Sequence, residues 1–464
     1  MLRVMKFGGT SLGNPKAIQQ VVDLIKRFRT EETVIVISAM AGITDELLRI
    51  SRKVLEGIKT EEIKNFVGEI KEKHLITARE VISEKYLEIP LIEIEKLCNE
   101  LEKVLLGVSY LGELTPRSLD YILSFGERLC APIVSGALNS EGIKSIWLGG
   151  YEAGIVTNSE FGNASPIWKE TKAKVRRVIK PLLKKYVPVV TGFIAKDKKG
   201  RITTLGRGGS DYSASILGAA LGADEIWIWT DVDGIMTTDP KLVKGAKTIK
   251  LLSYIEAMEL AYFGAKVLHP KTIEPAMEKG IPVRVRNTFN PDNEGTLIVR
   301  EHEKTSEIVK AVSVMKNVVM FNISGAGMIG TPGIVARVFK ALADEKVNIL
   351  MVSQASSEAS ISFVVAEEYF EKALKTLKRE FRNNYIRNIE YRKGGAIISV
   401  VGAGMIGTKG VAARVFRAVA NAGVNVIMIA QGSSEVNISF VVAQEDAKKA
   451  AEALHKEFIE EAYV

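Results

Sequence analysis

The strongest constraint on folding in this 464-residue sequence is an internal duplication. GAGMIGTPGIVARVFKALADEKVNILMVSQASSEASISFVVA begins at Gly325, and GAGMIGTKGVAARVFRAVANAGVNVIMIAQGSSEVNISFVVA begins at Gly402. Roughly two thirds of the aligned positions are identical, far beyond chance. Each copy reads as strand (318–323; 396–401), glycine loop, helix, strand (347–352; 424–429), turn, strand (360–365; 437–442) and helix. That order predicts two small βαββαβ sandwiches of ferredoxin-like type. The charged, apolar-poor stretch at 300–304 predicts the boundary that precedes them.

GAGMIG fits the dinucleotide fingerprint GxGxxG, and in both copies it follows a strand and opens a helix. A nucleotide site of that kind also needs an acidic residue at the end of the next strand. Here those strands lead into Gln354 and Gln431, and each copy is too short for a full dinucleotide fold. The glycines read instead as a tight turn that lets a ligand or partner approach the backbone.

The first three hundred residues alternate strand and helix signals, the pattern of a largely parallel sheet between helices. The segment from 45 to 138 is mostly helical and highly charged. Strand signals stand at 2–7, 33–38, 188–193, 202–205, 226–230 and 281–285, with helices at 211–221 and 253–263 among those between them. Hydrophobic residues make up 47% and charged residues 25%, the balance of a globular protein and not of a disordered one. The net charge of +8 is spread over mixed Lys/Glu helix faces, with no basic block interleaved with aromatics, so nucleic acid is excluded as a partner. Cys98 and Cys130 make no disulfide framework and no zinc pattern. With no signal peptide and no bilayer-length apolar run, the expected location is the cytoplasm and no membrane association is expected.

Four clusters in this first part suggest phosphate chemistry. Lys6-Phe7-Gly8-Gly9-Thr10-Ser11 places a cation and two glycines between a strand and a helix N-terminus. No GxxxxGK(S/T) loop is present, and a plain strand-to-helix turn accounts for this cluster equally well. In Thr204-Leu205-Gly206-Arg207-Gly208-Gly209-Ser210-Asp211, free amides, a helix dipole and Arg207 converge, with Asp211 suited to orient neighbouring cations. A helix cap explains one of these residues, but not three glycines and an arginine. Thr230-Asp231-Val232-Asp233-Gly234 lies where α/β proteins bind ligands, and it lacks the bidentate glutamate of a calcium loop. In Gly264-Ala265-Lys266-Val267-Leu268-His269-Pro270, Lys266 is either a nucleotide contact or a surface lysine. His269, just before a proline, closes a turn.

Together KFGGTS, SFGERL (124–129), TLGRGGSD, WTDVDG, TTDP, GAKVLHP and the paired glycine-loop repeats resemble the aspartate kinase family, collinearly and over essentially the whole chain. KFGGTS alone is shared in part with the wider amino-acid kinase family, including glutamate 5-kinase and uridylate kinase. The resemblance implies an amino-acid kinase domain at 1–300 and two ACT domains, at 301–391 and 392–464. A strand at 308–314 is expected to complete the second. The homoserine dehydrogenase domain fused to some relatives is not expected. Lys6 and Asp211 are the implied catalytic pair. Ser38, Thr44, Glu127, Phe193, Arg207, Gly208 and Ser210 are implied around aspartate. Lys6, Gly8, Gly9, Ser11, Thr230, Asp231, Met236, Lys241 and Lys266 are implied around ATP. Relatives commonly carry tyrosine at the position of Met236 and arginine at that of Lys241, so a hydroxyl and a bidentate fork are lost here.

This assignment explains why no cluster contains a catalytic histidine. The side-chain carboxylate of aspartate is ionised near neutral pH, its ordinary pKa being ~3.9, so it needs no general base. The difficulty is electrostatic, an anion approaching a phosphoryl group, and cations, amides and Mg²⁺ held chiefly by phosphates and water offset it. Arg207 suits the α-carboxylate and Glu127 the α-ammonium. Gln354, Gln431 and Asn437 are the expected allosteric contacts for an amino-acid effector, threonine favoured over lysine, and the ACT units are expected to pair into a homodimer or larger homo-oligomer. The competing reading is a non-catalytic amino-acid sensor with a degenerate first domain, which intact Lys6, Arg207 and Asp211 argue against.

Overall fold

Leu2–Phe7, Glu32–Ile37 and Val187–Thr191 are buried along nearly their whole length. Strands apolar on both faces belong inside a parallel sheet covered by helices on each side. In the computed structural model, which describes residues 1–263, 268–300, 307–325, 328–355, 359–381 and 388–460, they do so. An eight-stranded sheet runs in the order Ser145–Leu148, Val187–Thr191, Glu32–Ile37, Leu2–Phe7, Glu225–Thr230, Val283–Asn287, Thr296–Val299, Leu251–Ser253. Every pairing is parallel except that of Val283–Asn287 with Thr296–Val299.

Leu2–Phe7 lies between Glu32–Ile37 on one side and Glu225–Thr230 on the other. The chain leaves the first strand towards one edge and later returns to its opposite flank. The carboxyl ends of these strands therefore frame the crevice in which α/β proteins bind ligands. The helices have local causes. Asn14 caps Pro15–Phe28 by accepting the Ala17 N–H at 3.0 Å, with proline at the first turn, and the buried stripe from Ala17 to Ile25 faces the sheet. Gly209–Leu221 is buried almost all round, which its alanines, glycines and serines permit by allowing close approach. The charged region from 45 to 138 forms five helices, from Ile43–Leu55 to Phe125–Ser140.

The chain divides into two compact units. Residues 1–235, 248–257 and 268–300 form the first; 236–247, 258–263 and 307–460 belong to the second. The expected division after residue 300 thus differs from the observed one at two short stretches. Val243 is buried in the core of the second repeat, the Thr237 carbonyl accepts the Val312 N–H at 2.8 Å, and Phe263 packs with Val318, Val364, Ile397 and Val441.

The second unit is built on a six-stranded antiparallel sheet, ordered Met351–Gln354, Ser360–Ala366, Ala311–Ser324, Asn388–Val401, Asn437–Ala443, Met428–Gln431. Its two central strands each span both repeats. Val318 to Ser324 pair with Ser360–Ala366, while Ala311 to Met315 pair with Ile397 to Val401. The expected boundary at 391/392 falls inside one of these continuous strands. Helices Ile334–Asp344 and Phe370–Glu380 cover one half of the sheet, and Val411–Asn421 and Ala447–His455 the other. The strands expected at 347–352 and 424–429 form later, as Met351–Gln354 and Met428–Gln431. Val347 and Ile349 are apolar because they pack beneath helix Ile334–Asp344, not because they belong to a ladder.

Candidate active site

Lys6 is the penultimate residue of the first strand, 8% exposed, and its Nζ lies 2.6 Å from Asp211 Oδ1. Asp211 stands in the first turn of helix Gly209–Leu221, whose N-cap, Gly208, has φ +71°. A second helix, Ile43–Leu55, starts from Gly42 at φ +81°. Both left-handed caps suit glycine. Both helix N-termini border one cavity of about 370 Å³, lined by Lys6, Gly9, Ser38 to Gly42, Thr44, Asp45, Glu127, Phe193 and Gly206 to Asp211. Helix dipoles and exposed Arg207 give this space a bias towards anions.

The backbone around the cavity is tightly specified. A Cβ on Gly9 would lie 3.1 Å from the Ala39 carbonyl oxygen, and one on Gly192 2.6 Å from Ser210 Cβ. Phe193 adopts φ +65°, unusual for a bulky residue, held by its N–H donating to Ser213 Oγ at 3.0 Å and its carbonyl accepting from Leu205 at 2.9 Å.

Glu127 lies in the first turn of helix Phe125–Ser140 and is 3% exposed. Burial pushes its carboxyl from an ordinary 4.5 up to about 8, with the backbone amides of Glu127 itself and Ala39 partly offsetting this. Among the described residues its Oε2 has no hydrogen-bond partner. A buried carboxyl with one oxygen left unpaired beside a cavity is suited to receive an ammonium group.

Ten residues expected at the site, Lys6, Gly9, Ser38, Thr44, Glu127, Phe193, Arg207, Gly208, Ser210 and Asp211, line this one cavity. Gly8 flanks it; a Cβ there would lie 3.4 Å from Lys6 Nζ. Ser11 is buried and bonded through its hydroxyl to Thr288 Oγ1 at 2.7 Å. Thr230 and Asp231 stand at the end of the strand beside Lys6, joined by a 3.1 Å bond from Thr230 Oγ1 to Asp231 Oδ1. Met236 and exposed Lys241 belong to the second unit, and Lys266 lies outside the described residues. His269 does close a turn: it caps helix Pro270–Lys279, its Nδ1 accepting the Lys271 N–H at 3.3 Å, and burial lowers its pKa. Sequence reasoning missed Ala39, Met40, Ala41, Gly42 and Asp45, the run between the second strand and the first turn of helix Ile43–Leu55.

In the second unit, Gln354 lines an open cavity of about 820 Å³ together with Asn322, Ser353, Ser362, Glu390 and Arg392, and with Val426 to Ile429 of the other repeat. Asn322 Nδ2 donates to Glu390 Oε2 at 3.4 Å and its Oδ1 accepts from Ser362 at 3.1 Å. The equivalent end of the other repeat makes different contacts. Asn437 Nδ2 donates to Glu259 Oε2 at 2.9 Å, and Gln431 is exposed. The glycine loop there is approached by the chain itself: Cβ atoms on Gly402 and Gly404 would meet the carbonyl oxygens of Ile308 and Glu307 at 2.4 and 2.5 Å. Among the described residues no group of three His, Cys, Asp or Glu is placed to cage a metal, and no helix is long and apolar enough to cross a membrane.

A profile of the Amino acid kinase family matches residues 1–287, and one of the ACT domain matches 321–381 and 398–458. The chain is similar to Aspartokinase 1, chloroplastic, of Arabidopsis thaliana, 38% identical over 98% of this chain and 80% of that protein. Aspartokinase 2, chloroplastic, of the same plant is 37% identical over 98% and 84%. Among solved structures, E. coli aspartokinase III in complex with aspartate and ADP superposes with a TM-score of 0.85 at 29% identity, covering 98% of this chain and 99% of that one. The same enzyme in complex with lysine and aspartate gives 0.81 at 29% identity, over 99% of each.

Proposed function

The chain belongs to the aspartokinases of the amino acid kinase family, and from that premise we propose that it transfers the γ-phosphoryl group of ATP to the β-carboxylate of L-aspartate, giving 4-phospho-L-aspartate. Residues 1–300 carry this chemistry and the ACT repeats regulate it. The observation that carries the reading is the one cavity lined by the Lys6–Asp211 pair, by Glu127 with its unpaired Oε2, and by Arg207.

In this reading Glu127 receives the α-ammonium and Arg207 the α-carboxylate, which directs the β-carboxylate towards Lys6. No proton has to be removed from that nucleophile. Asp211, 2.6 Å from Lys6 Nζ, holds the lysine in place and aimed. Lys6 and the amides at the start of helix Gly209–Leu221 then stabilise the charge on the transferring group. Thr230 and Asp231, at the end of the strand beside Lys6, belong to the nucleotide side. Among the described residues no three carboxylates are grouped to cage a metal, so Mg²⁺ would be held chiefly by the nucleotide's phosphates and water. Mg²⁺ bound with the nucleotide supplies further neutralisation of phosphate charge. The test is aspartate-dependent formation of ADP by the purified chain, with glutamate as control; turnover with glutamate and none with aspartate contradicts the reading.

The effector is an amino acid, threonine favoured over lysine, and it binds the first repeat, where Gln354 borders open space. In the second repeat the engagement of Asn437 by Glu259 supports a closed site. A glutamine amide both donates to a carboxylate or hydroxyl and accepts from an ammonium. Because E. coli aspartokinase III was solved with lysine, inhibition assays with threonine, lysine and methionine decide the choice. Half-exposed Val352 and Ile429 on the edge strands support pairing of the ACT units into a homo-oligomer. The two buried free thiols, Cys98 and Cys130, support a reducing compartment, the cytoplasm.

A further inference from the structure

Asp120 lies in helix Pro116–Leu123, 1% exposed, outside the cavity lining. Its carboxylate accepts three bonds: from the Thr204 N–H at 2.8 Å, the Thr204 hydroxyl at 2.8 Å and the Gly162 N–H at 3.0 Å. All three donors are neutral. Burying a carboxylate on neutral donors is costly, and its return here is geometric.

Thr204 ends the strand Ile202–Thr204, and the next residues carry Arg207 and lead into the helix of Asp211. Gly206, at φ +76°, rests against the same 162–163 turn that Asp120 holds; a Cβ on it would lie 2.9 Å from Asn163 Oδ1 and 3.0 Å from the Gly162 oxygen. The Ala164 N–H donates to the Thr204 carbonyl at 2.9 Å, which fixes the turn to the strand a second time. On its other side, the Asp120 carbonyl accepts the Ser124 N–H at 3.1 Å. Ser124 both ends the helix of Asp120 and opens the helix of Glu127. One residue therefore ties the loop of Arg207 through its side chain to the helix of Glu127 through its backbone.

We propose that Asp120 is a positioning residue that fixes the Arg207 loop relative to Glu127, and so sets where a bound amino acid presents its side-chain carboxylate. This rests on the reading of Glu127 and Arg207 as the grips for the α-ammonium and α-carboxylate. The removable part of the link is Thr204 Oγ1, because a valine of the same shape leaves the backbone bond intact.

The experiment measures KM for aspartate and for ATP in Asp120→Asn, Thr204→Val, Thr204→Ser and the Asp120→Asn/Thr204→Val pair, with Arg207→Lys and Glu127→Gln alongside. A misplacement near 1 Å costs roughly a hundredfold, so Asp120→Asn and Thr204→Val are expected to raise KM for aspartate by about tenfold or more, with KM for ATP within about twofold. Thr204→Ser keeps the hydroxyl and stays near the parent. The double variant is no worse than the more severe single one, because both alter the one link between positions 120 and 204: Thr204→Val deletes its hydroxyl and Asp120→Asn replaces the accepting oxygen with an N–H donor. A merely structural role would reduce the active fraction and leave both KM values alone. If Asp120→Asn does not fold, Thr204→Val carries the test. Folded variants with unchanged KM for aspartate, or with equal rises for both substrates, overturn the positioning role. If Arg207→Lys and Glu127→Gln also leave KM for aspartate unchanged, the grip reading has failed and the proposal with it.

Discussion

Replacing Glu127 by glutamine separates the requirements of substrate binding from those of folding. Burial carries this carboxyl from 4.5 to about 8. At 1.36 kcal/mol per pH unit, its ionised form costs the ligand-free fold on the order of 5 kcal/mol. Its folded pKa lies above its unfolded value, so between pH ~4.5 and ~8 the folded protein holds a proton that the unfolded chain has released. Stability contributed by this group is therefore lost as pH rises through that window. An incoming ammonium needs the ionised carboxylate. Below about pH 8 each pH unit then weakens aspartate binding by up to about tenfold, and at pH 6 by roughly a hundredfold relative to the plateau. Glutamine removes both effects. KM for aspartate, measured from pH 6 to 9 at saturating ATP, is expected to fall with pH in the parent and level off near 8. In the variant it is expected to be high and flat. Thermal unfolding of the ligand-free proteins should show the variant more stable than the parent at pH 8 and little different at pH 5. A parent KM that does not change between pH 6 and 8, or the same pH profile in both proteins, would refute the reasoning.

Lys6→Ala is expected to fold and to lose ~10²–10³ in kcat, since it removes one preorganised contact to the transferring group; rapid-quench turnover near the parent rate removes Lys6 from the mechanism. Arg207→Lys keeps the charge and loses the planar two-point grip, so steady-state kinetics should show KM for aspartate rising more than KM for ATP; an effect confined to ATP contradicts the assignment. Inhibition by threonine should be lost in Gln354→Ala and largely kept in Gln431→Ala, because Gln354 borders the open cavity while Asn437 in the other repeat is engaged by Glu259. A parent enzyme insensitive to threonine refutes that choice of effector, and the opposite pattern in the two variants refutes the choice of repeat.

Two parts of the cavity were legible as clusters at strand ends beside glycines, while Ser38, Thr44, Glu127 and Phe193 followed only from the resemblance to the aspartate kinase family. Lys6 with Gly9, and Arg207 to Asp211, each sit where a buried strand gives way to a helix; a plain turn explains the first as well, while a helix cap explains only one residue of the second. Glu127 was legible as a residue but not as a state: a glutamate in a helix reads as solvated, and only the fold shows it buried. Asp120 was not legible at all. In PRSLDYIL it looks like a polar position of an amphipathic helix, and its meaning comes from Thr204, 84 residues later. Tertiary context also governs the stretch at 236–247. Val243 is a lone valine in a lysine-rich run, yet it is buried in the core of the second repeat. The duplication gave the antiparallel sheet and its helices, but it could not show that the two repeats end differently. That difference comes from Glu259, which lies outside both copies.

The most direct test of the central claim is to trap the product. The purified chain is incubated with ATP, Mg²⁺ and L-aspartate in the presence of hydroxylamine, which converts an acyl phosphate to a hydroxamate, and the product is identified by NMR and mass spectrometry. Aspartate β-hydroxamate is expected, formed in step with ADP and absent when ATP is omitted or when Lys6→Ala replaces the parent. ADP formation with no hydroxamate, a hydroxamate at the α-carboxyl, or turnover with glutamate in place of aspartate would contradict that claim.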